Sequence, residues 1–203
     1  VMRDIPGENT PENVQIIIDE TKRLTNLVND MLDLSKLQAG VQELHAVSMN
    51  LTDEIRSIIE RYETLLKQDE YDIRFEYRED VIIQGDVIKL DQVIYNLINN
   101  AINYSGEDHQ VIVKQLLEQG RVRIEIIDHG PGIEKDKLAY IWERYYKVDK
   151  THVRSRVGSG LGLSIVKAVL ELHKAEYGVL SEEGVGSTFW FSLPYSKSQN
   201  EDG

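Results

Sequence analysis

The chain has 203 residues, 41% of them hydrophobic, enough for one ordinary domain with an appendage or for two small domains. A formal charge of −12 argues against binding nucleic acid through its phosphates and against contact with an anionic membrane surface. With no cysteine, disulfides, thiolate metal sites and cysteine nucleophiles are excluded. No apolar run approaches the ~20 residues that cross a bilayer, and Asp4, Pro6, Gly7 and Glu8 break any signal-peptide pattern behind Val1. The missing initiator methionine reads as a piece of a larger protein.

Taken in chain order, Thr10-Pro11 is a helix start, with a capping hydroxyl and proline in the first turn. The helical pattern runs to Ala39-Gly40, with Ile17, Leu24, Leu27, Met31 and Leu34 on one stripe that Val28, Leu32 and Leu37 widen. That stripe predicts the seam of a helical hairpin or bundle. Residues 41–49 form a linker and short strand, and 51–67 a helix through Ile55, Ile58, Ile59 and Tyr62. Strands follow at 72–77 and 81–83. The segment 87–104 is a strong helix with Leu90, Val93, Ile94, Leu97, Ile98, Ala101 and Ile102 on its apolar face. Two strands, 110–117 and 122–127, flank a turn at Gln119-Gly120. A helix at 161–173 follows a glycine loop, strands at 177–180 and 188–193 close the fold, and 196–203 read as a frayed tail. The pattern predicts an α+β fold: a helical hairpin arm, then a sandwich of helices on one face of a mixed sheet. The boundaries are 1–46, 47–195 and 196–203.

Three constellations carry the chemistry. In the strong helix, Asn96, Asn100 and Asn103 share a face at i, i+4, i+7 spacing, with Asn99 beside them. Asparagine is a mediocre helix former. Amide oxygens so spaced can complete the shell of Mg²⁺, which keeps several waters and leans on substrate phosphates; a solvated polar face is the plain alternative. Next, Asp128-His129-Gly130-Pro131-Gly132-Ile133 follows a strand. A buried carboxylate can accept from an adenine amino group, and glycines admit a flat base without a clash; alone, the motif is also an ordinary tight turn. Third, Gly158-Ser159-Gly160-Leu161-Gly162-Leu163 opens a helix, where backbone N–H groups make an anion site. It lacks the lysine of a P-loop and the preceding strand of a dinucleotide fingerprint. Between the last two lies Trp142 to Lys150, followed by Arg154 and Arg156, a segment with the length of a surface loop or a lid.

In this order the motifs resemble the catalytic domain of sensor histidine kinases, within the GHKL ATPase superfamily of Bergerat fold. DQVIYNLINNAIN (91–103) resembles the N box, DHGPGI the first glycine box, WERYYKVD the aromatic F box and GSGLGLSIVK the second glycine box, while GVGSTF (184–189) resembles the closing stretch. The resemblance covers roughly residues 47–194. DMLDLSKLQAG (30–40) resembles the second helix of the dimerisation and phosphoacceptor hairpin, with Val1 to Asp4 as the tail of the first.

The resemblance implies ATP and Mg²⁺ as cofactors. It implies Asn100 as metal ligand and Asn96 beside the phosphates, with Lys147 reaching them; Asn96, Asn100 and Lys147 form the catalytic set. Asp128 would hold adenine, Gly130, Gly132 and Ile133 would line the base pocket, and Tyr104 would pack near the base. Gly158, Ser159, Gly160, Leu161, Gly162 and Leu163 would meet the phosphates beneath a lid at about 147–160, and Thr188 would support the adenine through a water. Asn103 stands where the N box often has lysine, leaving a phosphate contact to Lys150, Arg154 or Arg156. A homodimer through the hairpin, a response-regulator receiver domain as partner, a cytoplasmic location and a membrane anchor elsewhere in the parent are also implied. None of His45, His109, His129, His152 or His173 has the acidic follower of the family's phosphoacceptor. The rival readings are a GHKL ATPase of gyrase or mismatch-repair type with Asp91 as base, a serine-kinase anti-sigma factor, and a nucleotide-sensing dimerisation module without catalysis.

Overall fold

The computed structural model describes residues 10–38, 43–65, 71–144, 146 and 160–197. Eleven elements appear among them: α1 (Pro11–Gln38), β1 (Val47–Asn50), α2 (Leu51–Leu65), β2 (Asp72–Glu76), β3 (Val81–Gly85), α3 (Val87–Tyr104), β4 (Gln110–Glu118), β5 (Arg121–Asp128), α4 (Gly162–Leu172), β6 (Glu176–Glu182) and β7 (Gly186–Lys197). The strands form one seven-stranded mixed sheet in the order β1-β3-β7-β5-β4-β2, with β6 also on β7. Only β2 and β4 pair in parallel among these neighbours.

Period-two alternation explains the two faces of this sheet. Val111 and Val113 of β4, Val122, Ile124 and Ile126 of β5, and Phe189, Phe191 and Leu193 of β7 point to one side and are buried. Against them lie Ile55, Ile58 and Ile59 of α2, Leu90, Ile94 and Ile98 of α3, and Ile165, Val166 and Val169 of α4. Helices therefore cover one face, as the pattern predicts.

The last strand departs from expectation. It runs to Lys197 and includes Ser196, which the sequence assigns to a frayed tail. Pro194, opposite Arg121, ends the pairing with β5, and the strand then pairs with β3 through Tyr195, Ser196 and Lys197. Proline lacks the N–H that a ladder needs, so it suits the crossing from one neighbour to the next.

Helix α1 contacts α4. Thr10 caps it, its Oγ1 accepting from the Asn13 N–H at 3.2 Å. Most of its predicted seam is not covered: Ile17, Leu24, Val28, Met31 and Leu32 are 46–58% exposed. The hairpin turn and the end of the first hairpin helix lie outside the described residues.

Candidate nucleotide-binding site

Helix α3 begins at Asp86, whose Oδ1 accepts from the Lys89 N–H at 3.2 Å. Its apolar face is sunk in the core, which turns Asn96 and Asn100 to a half-buried flank, with Asn103 and Tyr104 exposed at the end. The second glycine box meets this flank directly. A Cβ added to Gly162 would lie 3.2 Å from Asn96 Oδ1. The first turn of α4 is thereby seated on the asparagine face. Leu161 is buried, and its carbonyl accepts from the Ile165 N–H at 2.9 Å and the Ser164 hydroxyl at 2.8 Å.

The first glycine box closes the other end. Asp128 is only 2% exposed at the end of β5. Burial pushes its carboxyl up to about 6, against hydrogen bonds from the Gly130 and Ser187 backbones that hold it down. The Gly130 N–H lies 2.9 Å from Asp128 Oδ1. Both glycines are required by the protein's own backbone rather than by room for a base alone. A Cβ on Gly130 would stand 1.7 Å from the Tyr104 carbonyl; Gly132 has φ +70° and its Cβ would stand 2.0 Å from the Glu182 carbonyl. The end of α3, the loop after β5 and the β6–β7 turn thus meet backbone to backbone. Outside this junction, His129 Nδ1 lies 2.7 Å from Asp108 Oδ2.

Register decides which residue of β7 faces Asp128. Ser187 stands opposite it, whereas Thr188 pairs with Ile127 and Leu180. Alternation sends Thr188 to the far side of the sheet, so Ser187, and not the expected Thr188, shares the face of Asp128. Ser187 Oγ lies 3.0 Å from Ser181 Oγ, which accepts from the Ile133 N–H at 2.8 Å. Ser181 is a member of this cluster that the sequence did not single out; a lone serine in a strand carries no signal until the strand is paired. Lys147, Gly158 and Ser159 lie outside the described residues, as do Lys150, Arg154 and Arg156. Gly160 and Leu163 are half-buried beside Leu161. The aromatic segment is anchored by Trp142, whose ring meets Tyr177 at 5.1 Å and Phe189 at 5.9 Å, both edge-on.

Asp91 does not share the asparagine face. At 100° per residue it is turned roughly 140° from Asn96 and roughly 180° from Asn100. It faces α2, where Arg61 is 3.7 Å away. A separate cavity of about 360 Å³ lies between Trp142 and the outer side of α4, and none of the predicted nucleotide residues line it. No cluster of three His, Asp or Glu side chains suited to a metal exists among the described residues. An ion here would rest on amide oxygen and substrate phosphate, as Mg²⁺ does, and the half-buried Asn100 fits that donor set.

Comparison with known proteins agrees with this geometry. The sequence profile of the histidine kinase-, DNA gyrase B- and HSP90-like ATPases matches residues 85–197. The chain belongs to this family. The profile of the His Kinase A (phospho-acceptor) domain matches residues 1–40. Over 198 residues the chain is 34% identical to the sensor protein kinase WalK of Staphylococcus saprophyticus, covering 97% of this chain and 32% of that protein. It is 33% identical over 194 residues to the sensor histidine kinase WalK of Bacillus subtilis, covering 95% and 32%. The chain therefore spans about a third of the length of these relatives, and it corresponds to the C-terminal part of sensor histidine kinases. Full-length ShkA in complex with AMPPNP superposes with a TM-score of 0.76 at 28% identity, over 93% of this chain and 41% of that one. Histidine kinase ThkA in complex with response regulator protein TrrA gives 0.74 at 26% identity, over 95% and 53%.

Proposed function

We propose that this chain is the ATP-binding catalytic unit of a sensor histidine kinase, acting on a histidine supplied from outside these residues. The observation that carries the reading is the seating of Gly162 on Asn96, with Asp128 buried farther along, beside the C-terminal end of α3. In this reading a phosphate-binding turn, amide oxygens and an adenine acceptor follow one another along α3.

In this reading the ionised Asp128 accepts from the adenine amino group, while Gly130, Gly132, Ile133 and Tyr104 border the base and Ser187 completes the wall. Asn96 orients the phosphates, and Asn103 lies at the edge. Backbone N–H groups at the start of α4, from Leu161 to Leu163, meet phosphate charge at a helix N-terminus. The family resemblance assigns Gly158, Ser159, Gly160 and Lys147 to phosphate binding as well. Asn100 would hold Mg²⁺ together with substrate phosphate oxygens, and the ion would supply charge neutralisation for phosphoryl transfer. The bond from the γ-phosphorus to the bridging oxygen breaks, a phosphorus–nitrogen bond forms on the acceptor imidazole, and ADP carries away the electron pair.

The acceptor histidine belongs to the first hairpin helix, since the histidines described here stand in loops, in the linker or at a helix end. His45 precedes β1, His109 and His129 lie in loops, and His173 is the C-cap of α4. The exposed α1 seam fits homodimerisation through a hairpin, and a receiver-domain aspartate is the onward acceptor. In this reading α1 belongs to the arm, and the catalytic domain, expected over 47–195, extends to the end of β7 at Lys197. No described helix is long and apolar enough to cross a membrane; a cytoplasmic catalytic unit on a membrane-anchored parent fits the family. The gyrase-type reading is disfavoured because Asp91 faces Arg61 rather than the asparagine face. A melt with MgADP tests the proposal: ligand at about a hundredfold its Kd stabilises by about 2.7 kcal/mol, and an unshifted melting temperature refutes ATP binding.

A further inference from the structure

Asp86 and His173 close the end of the α3–α4 pair remote from the glycine box. The Asp86 N–H donates to His173 Nε2 at 3.1 Å, and His173 Nδ1 lies 2.8 Å from the Val169 carbonyl. A carbonyl only accepts, so Nδ1 carries the proton; an N–H only donates, so Nε2 carries a lone pair. Both contacts together require a neutral imidazole in one tautomer. The Asp86 carboxylate is fully engaged as well. Its Oδ1 accepts from the Lys89 N–H, and its Oδ2 accepts from the Lys89 ammonium at 2.8 Å and from the His45 N–H at 3.1 Å. The side chains of Lys89 and Asp86 are 11% and 7% exposed. His45 belongs to the segment that joins α1 to β1.

We propose that Asp86 and His173 are positioning residues that set the register of α4 on α3 and tie the phosphate side of the nucleotide site to the segment leading from the helical arm. The two helices run antiparallel, with Asp86 against His173 at one end and Asn96 against Gly162 at the other. Roughly 15 Å of helix separates the two contacts, so a slip at His173 is carried along α4 to its first turn. A pull on His45 acts on the carboxylate that caps α3. This inference rests on the reading of Asn96 and the first turn of α4 as the phosphate side.

The clamp is sensitive to proton concentration. Protonating Nε2 would set N–H against N–H and break the Asp86 contact. The charged groups facing the ring are the Asp86 carboxylate, which favours protonation, and the Lys89 ammonium, which opposes it. Burial dominates and holds His173 below its ordinary value of 6.5, with the Val169 carbonyl working the other way. With the folded value depressed, the stabilising contribution is complete above the ordinary value and is lost as pH falls through the folded one.

The test uses the 203-residue chain and its His173→Ala and His173→Gln variants, at pH about 7.5 and about 5.5, on either side of the ordinary imidazole value. The glutamine carbonyl can accept from the Asp86 N–H without titrating. Amide-exchange protection in ligand-free protein is read at His45, Asp86 and the first turn of α4, and MgADP affinity is read in parallel. The alanine variant is expected to lose protection at all three places and to bind MgADP roughly three- to tenfold more weakly, the scale of one lost hydrogen bond. The glutamine variant restores protection and affinity, with the pH step between the two conditions abolished at Asp86. Wild-type protection and affinity in the alanine variant overturn the proposal, as does an unchanged pH step in the glutamine variant. If the alanine variant does not fold, the glutamine variant and the wild-type pH step decide. If wild-type protein binds no MgADP, the ATP reading fails, whereas the exchange at His45, Asp86 and α4 still judges the clamp.

Discussion

Gly162 faces Asn96 so closely that a Cβ on the glycine would lie 3.2 Å from the asparagine Oδ1. The glycine is helical and needs no unusual backbone angle, so what it provides is space beside a proposed phosphate ligand. Gly162→Ala should therefore separate stability from binding. Alanine favours the helix, so the melting temperature should hold or rise slightly. Displacing Asn96 should weaken MgADP by about 1 kcal/mol, roughly fivefold in Kd. Calorimetric titration beside a thermal melt checks both; unchanged affinity would mean that Asn96 moves freely or touches no ligand.

Gly130→Ala should do the reverse and damage the fold itself. Its Cβ would stand 1.7 Å from the Tyr104 carbonyl, which belongs to the backbone and cannot rotate away. A loss of about 3 kcal/mol is expected, which lowers the melting temperature by roughly 6–12 °C in a protein of this size. A ligand-free melt measures it.

Asp128 predicts a pH dependence of binding. Its carboxyl is raised to about 6 by burial, so this group favours the folded protein in acid and loses that contribution as pH rises through about 6. Ligand binding has the opposite sign. The adenine amino group needs the ionised acceptor, so affinity should fall as pH drops through that value. Asp128→Asn should bind more weakly at neutral pH and lose the step, because its amide would confront N–H donors from Gly130 and Ser187. A step that persists in the variant would assign it to another group.

Ser187 and Thr188 make a paired test of register. Thr188→Val keeps shape and removes a hydroxyl on the far face, and MgADP affinity should stay within about twofold. Ser187→Ala removes the hydroxyl that meets Ser181 Oγ at 3.0 Å and should weaken binding. The opposite ranking would contradict the placement of Asp128 and Ser187 on one face.

Much of this was legible in the sequence because the signals are local. The apolar period of residues 87–104 and the alternation of 122–127 follow from burial on one face, and both elements form where that pattern predicts. The three constellations were visible as residue types in fixed order. What depends on pairing was not. The side on which Thr188 or Ser187 points is reversed by one residue of register. The Asp86–His173 contact joins ends of two helices 87 residues apart. Pro194 and the polar residues after it looked like an ending, yet β7 continues by changing neighbours from β5 to β3. Glycines 130 and 132 read as room for a base, and only the fold shows the carbonyls of Tyr104 and Glu182 pressed against them.

The most direct test of the account is a calorimetric titration of ADP into the chain and its Asn100→Ala variant, with Mg²⁺ and with the ion chelated. The account predicts saturable binding to the wild-type chain that Mg²⁺ strengthens, and residual binding to the variant that no longer responds to the ion. Absence of saturable binding by the wild-type chain, or an undiminished Mg²⁺ response in the variant, would contradict it.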